Sequence, residues 1–179
     1  MINTIRNSLF AVFFTTLITV ACAENTTASQ LGQEDITNVK KLHSRYLAAS
    51  SEDGQLASEM LTQANKAAKK NQWGKSAKLY GESILIKPST DSLVGYAEAN
   101  IYIKRQADSK TQKKQAKQRD FKYAAQVLET ALQFSEKIGE SGTNQNVQQR
   151  ATQKLTCINK YLQSGSVDEK CQFIQEATE

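Results

Sequence analysis

The chain has 179 residues with 23 Lys or Arg against 18 Asp or Glu, a formal charge of +5, one histidine and three cysteines. That length supports a single domain with a modest core. With one histidine, no H-E-x-x-H, C-x-x-C or G-x-S-x-G motif and no phosphate loop, the sequence offers no catalytic or metal centre, so neither enzyme activity nor a cofactor is expected.

Residues 1–23 carry one charge, Arg6, ahead of the apolar run Leu9 to Val20 and then small residues. This is the pattern of a secretory leader, with Ala21-Cys22-Ala23 as an A-x-A site and cleavage before Glu24. The apolar run is too short to span a bilayer, so no transmembrane span is expected in the mature chain. Two alternatives stay open. Thr19-Val20-Ala21-Cys22 resembles the lipobox of bacterial lipoproteins, which would make Cys22 a lipidated first residue, or the leader stays uncleaved as an anchor. The first two readings place the mature protein in the periplasm, outside the cell, or lipid-anchored at the membrane.

Residues 24–34 are rich in Thr, Ser, Asn and Gln and read as a disordered spacer. Ile36, Val39, Leu42, His43, Tyr46 and Leu47 then recur at helical spacing, and Ser50 to Gly54 is expected to end that helix. It is expected to cap the first of the repeats that follow. Within this stripe His43 reads as a packed residue at the core edge.

The next stretch sets the fold. After the turn Asn71-Gln72, residues Trp73, Ser76, Tyr80 and Ser83 fall three to four apart on one helix face, and Pro88 closes the segment. A partner helix precedes them over about Gln55 to Lys70, with a small residue at Ala64. Phe121, Ala124, Leu128 and Ala131 repeat the Trp73, Ser76, Tyr80, Ser83 spacing. Their partner helix carries Leu93, Tyr96, Ala97 and Ile101, one residue out of strict register. This succession of aromatic, small and aromatic positions before a proline resembles the tetratricopeptide repeat. The fold class is therefore all-α, a stack of antiparallel helix hairpins with repeats at about 57–90 and 91–136.

The resemblance implies a binding scaffold whose inner face, built by the first helix of each pair, receives a protein or peptide. Carried over by position, Asn65, Lys69, Ala99 and Tyr102 would line that face. Ser76 and Ala124 are 48 residues apart, against about 34 in the family. The excess falls between Lys104 and Lys122, which has eight basic and two acidic residues and no Gly or Pro. It is expected to lengthen both helices of the second hairpin by about two turns, forming a protruding arm.

On that arm Lys110, Lys113, Lys114 and Lys117 stand at i, i+3, i+4 and i+7, one stripe that suits acidic protein surfaces or an anionic envelope surface. Nucleic acid is disfavoured, since no aromatic residues interleave the lysines as stacking platforms. Three readings of function result: an exported scaffold that binds a protein partner in the cell envelope, a protein held by the arm to anionic lipid or polysaccharide, or a helper subunit with only structural contacts.

Residues 139–144 form a turn cluster. Val147, Ala151, Leu155, Ile158 and Leu162 then define an amphipathic helix over Gln145 to Gln163, and Ser164-Gly165-Ser166 turns the chain back. Val167, Cys171 and Ile174 are expected on the inner face of a last short helix. Cys157 and Cys171 each lie seven residues from Ser164, so an antiparallel return brings the thiols together. A disulfide is expected between them, closing a single domain over 35–176.

Overall fold

Ser50 opens a helix where the sequence suggested one would end. Its hydroxyl accepts the Asp53 N–H at 3.0 Å and the Asp53 carboxylate accepts the Ser50 N–H at 2.9 Å, a reciprocal cap that starts the next helix at Ser51. The computed structural model describes residues 31–103, 110–139 and 145–178. Its helices are α1 (Val39–Ala48), α2 (Ser51–Ala68), α3 (Trp73–Ile86), α4 (Thr90–Tyr102), α5 (Lys110–Ile138), α6 (Gln145–Ser164) and α7 (Gln172–Thr178). Short 3-10 helices cover Gln33–Thr37 and Glu169–Cys171. Among the described residues there is no strand, and the fold is all-α. The expected leader, its expected cleavage site and Cys22 lie outside the described residues.

Local signals set the boundaries. Asn71 takes φ +56° in the turn after α2, a left-handed conformation that asparagine tolerates. Lys87, ahead of Pro88, is extended and stops α3, and the Ser89 hydroxyl accepts the Ser92 N–H to start α4.

The helices form two layers. α2, α4 and α6 make the first, while α3 packs between α2 and α4 and α5 between α4 and α6. Small buried residues let α2 and α3 approach closely. Ser76 donates to the Ala64 carbonyl at 3.0 Å and Ser83 to that of Ala57 at 2.9 Å, which satisfies both buried hydroxyls. Ala124 and Ala131 hold the equivalent places on α5, and Phe121, Leu128 and Phe134 fill the space around them without exposure to solvent.

α1 does not sit on the first repeat alone. It lies across the second layer, with Tyr46 edge-on to Phe134 at 5.8 Å and Arg45 donating to the Leu85 carbonyl at 3.2 Å, and the 3-10 helix before it accepts from Thr130 at the Thr37 carbonyl at 3.4 Å. The reason is the surface on offer. The outer side of α2 shows Ser58, Glu59, Thr62, Gln63 and Lys66 to solvent, so it gives the apolar stripe of α1 nothing to bury against. Leu47, assigned to that stripe by spacing, is 68 % exposed. The spacer also ends earlier than expected: Leu31 is buried, and Gln33 and Glu34 belong to the 3-10 helix.

Part of the expected two-helix arm, residues 104–109, lies outside the described residues. α4 stops at Tyr102 and Ile103 is extended, while α5 begins at Lys110, ahead of its first fully buried aromatic, Phe121. Beyond α6, Gly165 turns the chain at φ +69°, and a disulfide joins Cys157 to Cys171 with Cα atoms 5.5 Å apart. Val167 departs from the expected inner face and is 40 % exposed, because the return passes through an extended segment before the 3-10 helix.

Candidate functional site

The outward side of the first layer is the face that the N-terminal segment leaves open. On α4 it consists of the half-buried Asp91, Glu98 and Tyr102, spaced i, i+7 and i+11 along one stripe of an otherwise buried helix, with the buried Gly95 beneath the Tyr80 ring between them. Asn65 on α2 and Lys69 at its C-terminal cap stand to one side, both exposed, and Arg150 and Lys154 stand on α6 to the other.

Glu98 is the electrostatic centre. Its carboxylate lies 2.9 Å from Arg150 Nε and 3.8 Å from Lys154 Nζ, which links α4 to α6. Burial lowers the Lys154 ammonium pKa, an effect opposed by the charge of Glu98. The Lys154 ammonium also sits over the Phe173 ring at 4.2 Å, so α7 forms the border of the face.

Tyrosines supply the rest. Tyr80, from the second layer, reaches through and donates to Asn65 Oδ1 at 2.5 Å. Tyr102 stacks on Trp73 at 4.5 Å with their planes 21° apart. Burial raises the pKa of both hydroxyls, and the charge of Glu98 adds to it in each case. The face combines phenols, an amide and a mixed-charge cluster, a set able to form hydrogen bonds and charge pairs. Among the described residues no group of three or more His, Cys, Asp or Glu could hold a metal, and no helix is long and apolar enough to cross a membrane.

Of the four residues expected here, Asn65, Lys69 and Tyr102 are on accessible parts of the first layer. Ala99 is not: it is 1 % exposed and packed in the core. Counting across the one-residue slip in α4 selected Ala99 where the exposed stripe has its neighbour Glu98. The lysine stripe divides as well. Lys113 and Lys114 are exposed, but Lys117 is half-buried and donates to the carbonyls of Ile101 at 2.8 Å and Ile103 at 3.3 Å, closing the end of α4. Lys110 begins α5, and its side chain lies outside the described residues. His43 is half-buried on α1, away from this face.

Sequence reasoning missed Tyr80, Glu98, Arg150 and Lys154 as components of the face. A signal for the last two existed, since they stand four apart between the apolar positions of α6. Comparison with known proteins places no relative beside the chain: no family model, curated protein or solved structure matches it.

Proposed function

We propose that the protein is an exported helical scaffold, similar in design to tetratricopeptide repeats, that binds a protein or peptide partner across the face of α2, α4 and α6. One observation carries this reading. The N-terminal segment covers the second layer, whereas the first layer presents the exposed Asn65, Lys69 and Arg150, with the largely buried pair Glu98 and Lys154 between α4 and α6. Surfaces of this kind recognise extended chains through side-chain hydrogen bonds and paired charges. The leader in residues 1–23 supports placement in the periplasm or outside the cell.

A pull-down from envelope extract tests it. Lys69→Glu with Arg150→Glu should lose the partner, while Lys113→Gln with Lys114→Gln should retain it. The opposite pattern, with capture falling steeply as salt rises, would transfer the function to the start of α5 and to an anionic envelope surface. Two exposed lysines there keep that second reading in play, weakened by the commitment of Lys117 to the end of α4.

A further inference from the structure

The α2–α3 turn and the start of α5 stand at the same end of the stack. Tyr102, at the end of α4, stacks on Trp73, at the start of α3, and Lys117 reaches the Ile101 and Ile103 carbonyls, which sets Lys117 level with the end of α4. α5 begins seven residues before Lys117, so it runs on for about 10 Å past that level.

Positive charge is gathered at this end. Residues 60–81 contain five lysines and no acidic residue, and residues 110–122 contain six basic residues against Asp120 alone. The two stretches thus carry +10 in a protein of net +5, which leaves −5 for everything else. Lys66, Lys69, Lys70, Lys75 and Lys78 are all exposed on the first hairpin, with Lys78 bridged to Glu82 at 3.8 Å, and Lys113, Lys114, Arg119 and Lys122 are exposed on α5. The helices themselves do not favour this arrangement. α2 and α4 begin with acidic residues, as the helix dipole prefers, whereas α3 and α5 have none in their first turns and carry Lys75 and Lys110 there. Lysines at these two starts cost helix stability and repel their neighbours, which fits a surface kept for an anionic partner.

The course of the N-terminal segment selects the kind of partner. Gln33 and Glu34 share a groove with Ala116 and Arg119, Thr37 accepts from Thr130, and Tyr46 meets Phe134, so the segment enters on the basic side and runs along α5 away from it. Residues 1–30 therefore join the fold at the basic end. An uncleaved or lipidated leader would hold a membrane next to that end.

We propose that the basic end docks on a bilayer of anionic phospholipid, with the lysines of the α2–α3 turn and those at the start of α5 meeting its headgroup phosphates together. This docking does not rest on partner binding at the α2/α4/α6 face. Lys69 is common to both surfaces and is left unchanged in the test.

Sedimentation of the exported protein with phosphatidylcholine vesicles, with and without phosphatidylglycerol, tests the proposal. The salt-sensitive part of the binding is the readout, since an acyl chain would add a part that salt does not remove. It is expected only with phosphatidylglycerol. Three variants each lose two positive charges at exposed positions. Lys70→Gln with Lys75→Gln, and Lys113→Gln with Lys114→Gln, should each weaken binding about tenfold, whereas Lys40→Gln with Lys137→Gln, away from this end, should match the parent. Absence of salt-sensitive binding, equal loss in all three variants, loss confined to the α5 pair, or capture of a soluble anionic polysaccharide but not of the vesicles would overturn it.

Discussion

The Tyr80 ring crosses Gly95 so closely that a Cβ added at Gly95 would lie 2.4 Å from two of its carbons. A tyrosine of the second layer thereby reaches the open face of the first, where its hydroxyl meets Asn65. Gly95→Ala gains up to about 1 kcal/mol of helix propensity. The displaced ring is 4 % exposed and tied to Asn65, so overpacking should win, with a net loss of about 1–2 kcal/mol in urea unfolding. Combining it with Tyr80→Leu should cost less than the two single changes summed, because the clash is gone.

Leu128 is fully buried at the position on α5 that Tyr80 holds on α3. Leu128→Asp places a charge in the core, and its cost of about 3–5 kcal/mol should leave the chain unfolded or aggregated by circular dichroism. Lys114→Gln, at an exposed position, should melt within about 0.5 kcal/mol of the parent. Equal melting of both variants would remove α5 from the core.

The disulfide fastens a helix of seven residues, too short to persist through its own backbone bonds. Cys157→Ser with Cys171→Ser should lower stability by about 3 kcal/mol in the chain-entropy model. Hydrogen exchange should show the loss concentrated in α7. Thiol titration of denatured, unreduced protein should find neither cysteine free.

Lys41 bonds Asp35 and the Gly32 N–H reinforces it, which holds the Asp35 carboxyl below its ordinary pKa. A depressed carboxyl pKa contributes stability above the unfolded value, near pH 4, and the contribution disappears as pH falls through the lower folded value. The stability difference between parent and Asp35→Asn should therefore be present at pH 7 and close as the pH falls below about 4. A difference that stays constant down to pH 2 would mean the ion pair has no part in holding the 3-10 helix.

Both repeat stripes were legible because burial on a helix face writes a period into the sequence, and Ser76, Tyr80, Ala124 and Leu128 are all buried where that period puts them. The cysteine pair was legible for a simpler reason, equal distance from a turn. Other features left no such trace. Periodicity shows that α1 has an apolar side but not which surface receives it, and that was decided by the polar exterior of α2. Ile103 ends α4 without a glycine or proline, the end being closed from a distance by Lys117. In the candidate face, single polar residues such as Glu98 derive their role from neighbours on other helices.

The crossing of the N-terminal segment over the second layer bears on how the molecule comes apart. Open-ended arrays of hairpins can fray one unit at a time. Here Arg45 is bonded to a carbonyl of α3, 40 residues on, and Thr37 to a side chain of α5, 93 residues on. Neither hairpin can peel away while those ties hold, so melting should be cooperative across the whole stack. The same segment lies against both α3 and α5, so the two hairpins share a third element that holds them in one register.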